Sequence, residues 1–342
     1  MTDSINVKPV VLIGAAGEMC RVAVERFAKA SNAQLVLADL NTTVIESLAA
    51  SFPSGRATTQ KLDLFDETAL ANLISGAGLV VLGAGPYSKT SQPVVKACIK
   101  AKVPYLDFDD DVESTQDALN LNQEAKKAGV PLYIGCGASP GLSNVMIMDA
   151  TSELDTVNSI DICWLVGDEA SVGKAVLQHL MHIAAGPCLT WVDSKPRVNE
   201  SWVGTTYAPI SEAPLRYALW GMLEQIWNGE CTTGEVVTYL MNAITGTKIE
   251  NRGNILVRAT GMRGGVPTVI TKRNPKNGKD SYLCQSMGTV TGTSTAAFMV
   301  MALEDGCKRS GVFCPEDWAK PDVFYRALER VGVPRNEIIE SI

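Results

Sequence analysis

Residues 9–21, PVVLIGAAGEMCR, contain the pattern that decides the fold. Their β-branched and aliphatic residues run up to Gly14, the chain turns through Gly17, and an apolar-periodic segment follows. This order is typical of a strand, a tight glycine turn and the start of a helix. Such a turn directs backbone N–H groups and a helix dipole towards a pyrophosphate. The stretch therefore predicts the first strand and helix of a dinucleotide-binding domain.

The glycine turn is an imperfect motif. Ala16 stands where the second glycine of GxGxxG is usual, and Cys20 stands where GxxGxxG variants end. Because glycine is common in any turn from a strand to a helix, the loop alone is weak evidence. The residues that follow it supply the context.

An acidic residue stands where this arrangement requires one. Met19, Val22 and Phe27 recur at helical spacing, and residues 34–40, QLVLADL, are typical of a strand buried on both faces. Asp39 ends that strand about 20 residues after the glycine turn, the spacing of the carboxylate that binds the adenosine ribose 2′-OH. A carboxylate there also repels a 2′-phosphate, so NAD is the expected cofactor and NADP the less favoured one.

Strands and helices alternate along residues 1–145. Further strands are predicted at residues 61–65, 79–82, 105–108 and 131–135, and helices at residues 43–52, 66–76, 92–102 and 112–129. Apolar strands that alternate with helices form a parallel sheet covered by helices on both faces. The predicted fold class is therefore α/β, a doubly wound parallel sheet of the Rossmann type.

The pattern changes near residue 157. Ile160, Ile162 and Trp164 alternate as in a half-buried strand, and residues 173–184 are typical of a helix. Three short strands are predicted at residues 254–262, 266–272 and 281–285, separated by the turns Arg263-Gly264-Gly265 and Asn277-Gly278. This mixture predicts a second domain of the α+β class.

The chain then returns to helical periodicity. Residues 291–306, TGTSTAAFMVMALEDG, predict an apolar helix capped by Thr or Ser. We therefore expect the α+β domain, residues 146–289, to be inserted into a dinucleotide-binding domain of residues 1–145, which helices within residues 290–342 complete.

The composition limits the classes of partner. Of the 342 residues, 46% are hydrophobic and 20% are charged, which leaves room for a buried subunit interface. No apolar run is long enough to span a bilayer and the polar start MTDSINVKP is unlike a signal peptide, so we expect a cytoplasmic protein with no membrane partner. The net charge of −7 argues against a nucleic-acid partner. Nine scattered cysteines and two histidines show no zinc spacing, so no metal site is expected.

Candidate site residues follow the predicted strands. Asp63 either contacts the adenine amino group or caps a neighbouring loop. Gly85, Pro86 and Tyr87 belong to the segment GAGPY, at the switch region where ligands bind over the carboxyl ends of strands. Glycine there lets the backbone approach a ribose, and Tyr87 could reach a nicotinamide. The alternative is that the segment is a turn and no more.

Two further groups of side chains have chemistry suited to an amine. Asp107 and its neighbours Asp109, Asp110 and Asp111 could bind an ammonium group or accept a proton, or they could cap the next helix; we expect at most one or two of them to face the cleft. His179 lies one helical turn from His182. It could take a proton from an amine as a hydride leaves the adjacent carbon, or it could be a packing residue.

Residues 136–144, CGASPGLSN, carry a pattern more specific than a turn. The run GxxPGLSN occurs together with PYxxxxxPVVxACIxAxVPYLD, TGTSTAA and GVxxPE. In these motifs the chain resembles the saccharopine dehydrogenase-like superfamily and is most similar to its lysine dehydrogenase branch, which has a similar Ala-Pro-Gly-Leu-Ser-Asn run. The resemblance covers nearly the whole chain and is only moderate after residue 157.

The resemblance implies roles for individual residues. The implied pyrophosphate loop contains Gly14, Ala16, Gly17 and Met19, and the implied acid that binds the ribose is Asp39. The implied loop on the nicotinamide side contains Pro86 and Tyr87, and the implied turn beneath the nicotinamide contains Gly137 and Pro140. Glu18, Leu40, Asp63 and Gly85 complete the predicted cofactor-binding set, and Tyr87, Asp109, Ser139 and His179 form the predicted catalytic set. The resemblance also implies that the inserted domain serves substrate binding and dimerisation, so we expect a homodimer with a small-molecule substrate.

Two departures from the superfamily's pattern bear on the substrate. Saccharopine-forming reductases have Asp immediately before the Pro-Gly, where this chain has Ser139, and Ser-Ser-Tyr where this chain has Asp107-Phe108-Asp109. Saccharopine is therefore in doubt as the substrate. We expect NAD-dependent hydride transfer at a CH–NH or C=N centre of an amino-acid-like or imine substrate. Two alternatives stay open, namely an oxidoreductase acting on a C–O or C=C bond of a larger apolar substrate, and a non-catalytic, cofactor-sensing protein.

Overall fold

The computed structural model describes residues 8–166, 187–200, 253–275, 283, 285–304 and 308–341. These residues form a seven-stranded parallel sheet, a four-stranded antiparallel sheet and a two-stranded hairpin. The predicted fold class, a doubly wound parallel sheet with a second domain inserted into it, is confirmed. The predicted domain boundaries near residues 145 and 289 stay predictions.

The first sheet has the strand order β12-β6-β5-β4-β1-β2-β3, with every neighbouring pair parallel. Its strands are β1 (Val10–Ile13), β2 (Leu35–Asp39), β3 (Ala57–Lys61), β4 (Leu79–Leu82), β5 (Tyr105–Asp107), β6 (Pro131–Tyr133) and β12 (Gly311–Phe313). The first and fourth strands are buried along their whole length, as expected of apolar strands covered on both faces. The strand order reverses between β1 and β4, which is where doubly wound sheets bind ligands.

Helices connect the strands of this sheet. They are α1 (Glu18–Ala30), α2 (Thr42–Ala50), α3 (Glu67–Ile74), α4 (Tyr87–Ala101), α5 (Val112–Asn120), α6 (Asn122–Ala128) and α7 (Leu142–Thr151). Asp66 begins α3 because its carboxylate accepts hydrogen bonds from the N–H groups of Thr68 (3.0 Å) and Ala69 (2.9 Å).

Two predicted boundaries in this region are wrong. The third strand lies at Ala57–Lys61 rather than at residues 61–65. The polar run ATTQK can form this strand because β3 is the last strand at one side of the described sheet. Residues 61–65 do not continue the strand, since Asp63 forms a turn by accepting the N–H of Phe65 (3.0 Å). Helix α4 begins at Tyr87 rather than near residue 92. The sequence is misleading here because a proline normally marks the start of a helix, whereas Pro93 lies inside this one.

The second sheet is antiparallel and has the order β13-β11-β10-β7. Its strands are β7 (Thr156–Val166), β10 (Gly253–Arg263), β11 (Val266–Arg273) and β13 (Glu340–Ser341), and the separate hairpin pairs β8 (Pro187–Val192) with β9 (Lys195–Glu200). The predicted helix at residues 173–184 lies outside the described residues. Of the predicted strand at residues 281–285, only Leu283 and Gln285 are described. Neither belongs to a strand, and the next helix begins two residues later, at Met287.

The chain returns to the first sheet through a long buried helix. The remaining helices are α8 (Met287–Glu304), α9 (Pro315–Trp318) and α10 (Pro321–Arg330), followed by a 3-10 helix (Arg335–Glu337). Helix α8 begins before the predicted residue 291, since the hydroxyl of Ser286 caps it by accepting the N–H of Thr289 (3.0 Å). It packs against α1 and α10, and β12 then joins the sheet beside β6.

Candidate active site

The glycine loop after β1 is built from close backbone contacts. Gly14 has φ 85°, and a Cβ atom there would lie 2.6 Å from the backbone nitrogen of Ala84 in the loop after β4. Glycine alone fits this position. The N–H of Gly17 donates to the carbonyl of Gly14 (3.0 Å), and α1 begins at the next residue. Because Gly17 has no side chain to cap α1, the first N–H groups of the helix suit an anionic ligand.

Asp39 lies at the end of β2, at the position that the sequence predicted. Its Oδ2 accepts the N–H of Ala16 in the glycine loop (3.0 Å), and its Oδ1 accepts the N–H of Asn41 (2.9 Å). Leu40 beside it is 64% exposed. Asp63 follows β3 at the same edge of the sheet and is exposed. The glycine loop and this pair of acids fit the pyrophosphate and adenosine side of a dinucleotide.

The segment GAGPY packs tightly against the glycine loop and β5. A Cβ atom at Gly83 would lie 2.9 Å from the ring of Phe108. Tyr87 is buried, its ring lies edge-on to Phe108 with centroids 6.0 Å apart, and its hydroxyl donates to the carbonyl of Leu82 (3.4 Å). Burial raises the pKa of Tyr87 well above its ordinary value. Gly85 is exposed and Pro86 half-buried, so these two residues are more accessible to a ligand at this edge than the Tyr87 hydroxyl is.

The aspartates after β5 join three loops. Oδ1 of Asp107 accepts the N–H groups of Gly135 (2.8 Å), after β6, and of Asp109 (3.2 Å). Asp109 accepts the N–H of Asp111 (2.8 Å) and the hydroxyl of Ser114. Oδ2 of Asp111 in turn accepts the N–H of Ser88, in the first turn of α4 (3.1 Å). The loops after β4, β5 and β6 are therefore held together by carboxylates.

Two of these carboxylates are deeply buried. Asp107 and Asp109 are 0% and 1% exposed. Burial raises the pKa of Asp107, while burial and then the charge of Asp107 raise the pKa of Asp109. The pair therefore holds a proton at a pH where an isolated aspartate would have lost its own.

The loop at residues 136–144 is closed by its own backbone. The N–H of Gly137 donates to the carbonyl of Pro140 (3.0 Å). Gly141 has φ 128°, and a Cβ atom there would overlap the carbonyl oxygen of Gly137. The hydroxyl of Ser143 donates to the hydroxyl oxygen of Ser139 (2.8 Å), and Oδ1 of Asn144 accepts the N–H of Gly141 (2.9 Å). This turn, which contains two predicted cofactor-binding residues, has a defined shape without a ligand.

Sequence reasoning missed Glu316 as a member of this site. Its Oε2 accepts a hydrogen bond from Nδ2 of Asn144 (2.8 Å), although the two residues are 172 positions apart. Glu316 is exposed at the start of α9, just after β12 ends. The signal was the match to GVxxPE, but nothing in that motif alone indicates its partner.

The structure brings most of the predicted residues to one edge of the first sheet. The segments that follow β1 to β6 contain Gly14, Ala16, Gly17, Glu18, Met19, Asp39, Leu40, Asp63, Gly85, Pro86, Tyr87, Asp109, Gly137, Ser139 and Pro140. His179 and His182 lie outside the described residues. Within the described ranges, no three His, Cys, Asp or Glu side chains are grouped to hold a metal ion, and no helix has the length and apolar character of a membrane span. The roles of the site residues stay predictions.

Two comparisons concern the sequence. Residues 10–132 match the family model described as the saccharopine dehydrogenase NADP binding domain. A carboxyaminopropylagmatine dehydrogenase from Synechocystis sp. is 28% identical over 162 residues, which are 45% of this chain and 40% of that relative. The match thus spans less than half of the relative's length.

Two comparisons concern the fold. The apo saccharopine dehydrogenase (L-Glu forming) from Saccharomyces cerevisiae has a TM-score of 0.65 at 13% identity, covering 98% of this chain and 100% of that one. An engineered D-amino acid dehydrogenase has a TM-score of 0.54 at 15% identity, covering 93% and 96% of the two chains. At these identities the likeness concerns the fold alone.

The fold and the loops at its carboxyl edge define a nicotinamide-nucleotide-binding domain joined to a second, largely antiparallel domain. The matched family model and the shared fold agree with the motifs noted in the sequence. The chain is similar to saccharopine dehydrogenases in the sequence of residues 10–132 and in its fold. Its similarity to the lysine dehydrogenase branch stays a prediction.

Proposed function

We propose that the chain is an NAD-dependent oxidoreductase that transfers a hydride between nicotinamide and a CH–NH or C=N centre of an amino-acid-like or imine substrate. The carboxylate of Asp39 carries the cofactor part of this proposal. It is hydrogen-bonded to the glycine loop through Ala16, and a negative charge there favours a ribose 2′-OH over a 2′-phosphate. The description of the family model names NADP, so the choice of cofactor needs a direct measurement.

The names of the relatives support an amino substrate. They are dehydrogenases of carboxyaminopropylagmatine, of saccharopine and, in the engineered protein, of D-amino acids. The buried aspartates after β5 support the same chemistry, because a carboxylate attracts an ammonium group and a carboxyl group of raised pKa can hold a proton.

The bound nicotinamide would supply a hydride acceptor or donor, and the protein would supply orientation and proton handling. The glycine loop would bind the pyrophosphate, and the turn containing Gly137 would lie beneath the nicotinamide. Ser139 accepts a hydrogen bond from Ser143, which leaves its own hydroxyl proton for a substrate atom. Asp109, whose pKa is raised, would hold or release a proton near that atom. Tyr87 suits packing better than proton transfer, since its hydroxyl is buried and already bonded to Leu82.

The test begins with binding and continues with turnover. The full chain is titrated with NADH and with NADPH while the nicotinamide fluorescence is followed. Amines, amino acids, imines, alcohols and enones are then screened by the absorbance of reduced nicotinamide. Turnover of an amine or imine supports the proposal. Turnover of alcohols or enones alone favours the C–O or C=C alternative, binding without turnover favours a cofactor sensor, and no binding of either nucleotide overturns the proposal.

We also propose that the chain forms a homodimer. Apolar side chains on β7 support it, because Ile160, Ile162 and Trp164 are 42%, 46% and 40% exposed and exposed apolar patches commonly mark interfaces. Sedimentation equilibrium should give a dimer for the wild-type chain and a monomer for Ile162→Asp. Leu119→Asp, at an equally exposed position on α5 (42%), is the matched control and should remain a dimer. A wild-type monomer contradicts this proposal.

A further inference from the structure

The segment TGTSTAA, residues 291–297, contains none of the predicted site residues. It lies in α8, the long helix that leads the chain back to the first sheet. All of its residues are buried. Its contacts reach the start of α1 and the loop after β6, which are two separate parts of the proposed nucleotide site.

The first contact is with the start of α1. A Cβ atom at Gly292 would lie 2.4 Å from the carbonyl oxygen of Met19 and 2.6 Å from Cβ of Val22. One turn earlier, a Cβ atom at Gly288 would lie 3.1 Å from Oε1 of Glu18. Helix α8 therefore touches the backbone of α1 in the turn whose N–H groups face the proposed pyrophosphate position.

The second contact is with the loop after β6. The hydroxyl of Thr295 donates to the carbonyl of Cys136 (3.0 Å) and lies 2.9 Å from the carbonyl of Thr291 in its own helix. The methyl group of Thr291 would lie 3.3 Å from a Cβ atom at Gly137. Cys136 and Gly137 open the turn that is proposed to lie beneath the nicotinamide.

These two contacts come from one face of the helix, because residues three apart, such as Gly292 and Thr295, are neighbours on a helix surface. The segments that they touch are the start of α1, which follows β1, and the loop after β6. Strands β4 and β5 lie between β1 and β6 in the sheet. At the usual distance between neighbouring strands, the ends of β1 and β6 are roughly 14 Å apart. A rigid helix bridging them fixes the distance between the two halves of a dinucleotide site.

We propose that α8 is a positioning helix for the nucleotide, in which Gly292 sets the pyrophosphate loop and Thr295 sets the nicotinamide-side loop. This inference rests on the proposed nucleotide-binding function. It assigns the TGTSTAA motif to cofactor geometry, although none of its residues needs to touch the cofactor.

The test of Thr295 uses two probes and a matched control. Both NADH and ADP-ribose contain the pyrophosphate and the adenosine, but ADP-ribose lacks the nicotinamide. Thr295→Val removes the hydrogen bond to Cys136 and keeps the shape of the side chain, so NADH affinity should fall about fivefold while ADP-ribose affinity stays unchanged. Thr293→Val is the control, since Thr293 is buried in the same helix and its hydroxyl has no hydrogen-bond partner among the described residues. It should change neither affinity.

The test of Gly292 expects a different pattern. Gly292→Ala should weaken NADH and ADP-ribose alike, by about tenfold, because both need the pyrophosphate loop. Gly78→Ala is its control, since a Cβ atom there would lie 3.1 Å from Lys8 at the opposite edge of the sheet. It should lower the unfolding temperature without changing either affinity. Thermal unfolding shows whether each variant is folded. If Gly292→Ala is unfolded, the inference is tested by Thr295→Val.

The outcomes separate this inference from the proposed function. If the wild-type chain binds neither probe, the proposed function and this inference both fail. If it binds both probes, and Thr295→Val binds them like the wild type or loses both to the same extent, the positioning role is wrong while the nucleotide site stands.

Discussion

The substitution Asp39→Asn tests the basis of cofactor choice most directly. It keeps the shape of the side chain and removes its charge. The carboxylate accepts two backbone N–H groups, from Ala16 (3.0 Å) and Asn41 (2.9 Å), whereas an amide has one oxygen and can accept from only one side. The variant should therefore lose one hydrogen bond to a charged acceptor, which contributes about 1.5–3 kcal/mol when buried. The half-buried position of Asp39 favours the lower end of that range.

The effect on the two cofactors should be opposite. NADH loses a charged acceptor for its ribose 2′-OH, which weakens binding by about 1–2 kcal/mol. NADPH gains, because a carboxylate roughly 5 Å from a 2′-phosphate of charge near −2 repels it by about 2 kcal/mol at an effective dielectric constant of about 60. The ratio of the NADPH to the NADH dissociation constant should therefore fall by at least about 100-fold.

Fluorescence titrations of both cofactors measure that ratio. Asp66→Asn is the matched control, because Asp66 also accepts two backbone N–H groups (Thr68 and Ala69) but does so at the start of α3. It should lower stability slightly and leave the ratio unchanged. The reasoning is refuted if Asp39→Asn leaves the ratio within a factor of about 3, or if Asp66→Asn changes it equally. A wild-type preference for NADPH would contradict the proposal of NAD.

Three further predictions concern the loops of the site. Gly14→Ala should lower the free energy of unfolding by about 2–4 kcal/mol and abolish nucleotide binding, because a Cβ atom there would meet the backbone of Ala84 and φ is 85°. Gly76→Ala is the control, since Gly76 has φ 77° but open space around it, and it should lower the free energy of unfolding by only about 1 kcal/mol. Equal losses for the two variants in denaturant titrations would contradict this prediction. Burial and a neighbouring carboxylate raise the pKa of Asp109 to about 8, so the folded state binds this proton more tightly than the unfolded chain does and its contribution to stability is lost as pH rises from about 4 to about 8. Unfolding measured at about pH 5 and about pH 9 should show a smaller decline for Asp109→Asn than for the wild type, and an equal decline would show that Asp109 is ionised. Asn144→Ala removes the link to Glu316 (2.8 Å) and should destabilise the chain by about 1–2 kcal/mol and lower turnover; a variant with wild-type kinetics would show that the link has no role in the site.

The first sheet was predictable because its decisive signals are local. β1 and β4 are uninterrupted apolar runs, and each is followed by a glycine turn. Asp39 was predictable for the same reason, since one strand–helix–strand unit determines how far an acid lies from the glycine loop. The errors fall where local signals mislead. β3 is polar because it lies at an edge, and Pro93 within α4 resembles a helix start.

The contacts that complete the site could not be predicted in the same way. Thr295 and Cys136 are 159 positions apart, and Asn144 and Glu316 are 172 apart. Both pairs form because the chain returns to the first sheet after it has formed the second sheet. The motifs TGTSTAA and GVxxPE are visible in the sequence, but neither has a local pattern that indicates its partner.

The buried aspartates bear on both stability and function. Keeping the neighbouring carboxyl groups of Asp107 and Asp109 out of water is unfavourable unless hydrogen bonds compensate for it, and here backbone N–H groups of Asp109, Asp111 and Gly135 donate to them. Those N–H groups belong to the loops after β5 and β6, so the same hydrogen bonds also hold these two loops together. Asparagines could accept the same hydrogen bonds with less desolvation. What they could not do is hold a proton or attract an ammonium group, and these are the two properties that the proposed oxidation of an amine would use at this edge of the sheet.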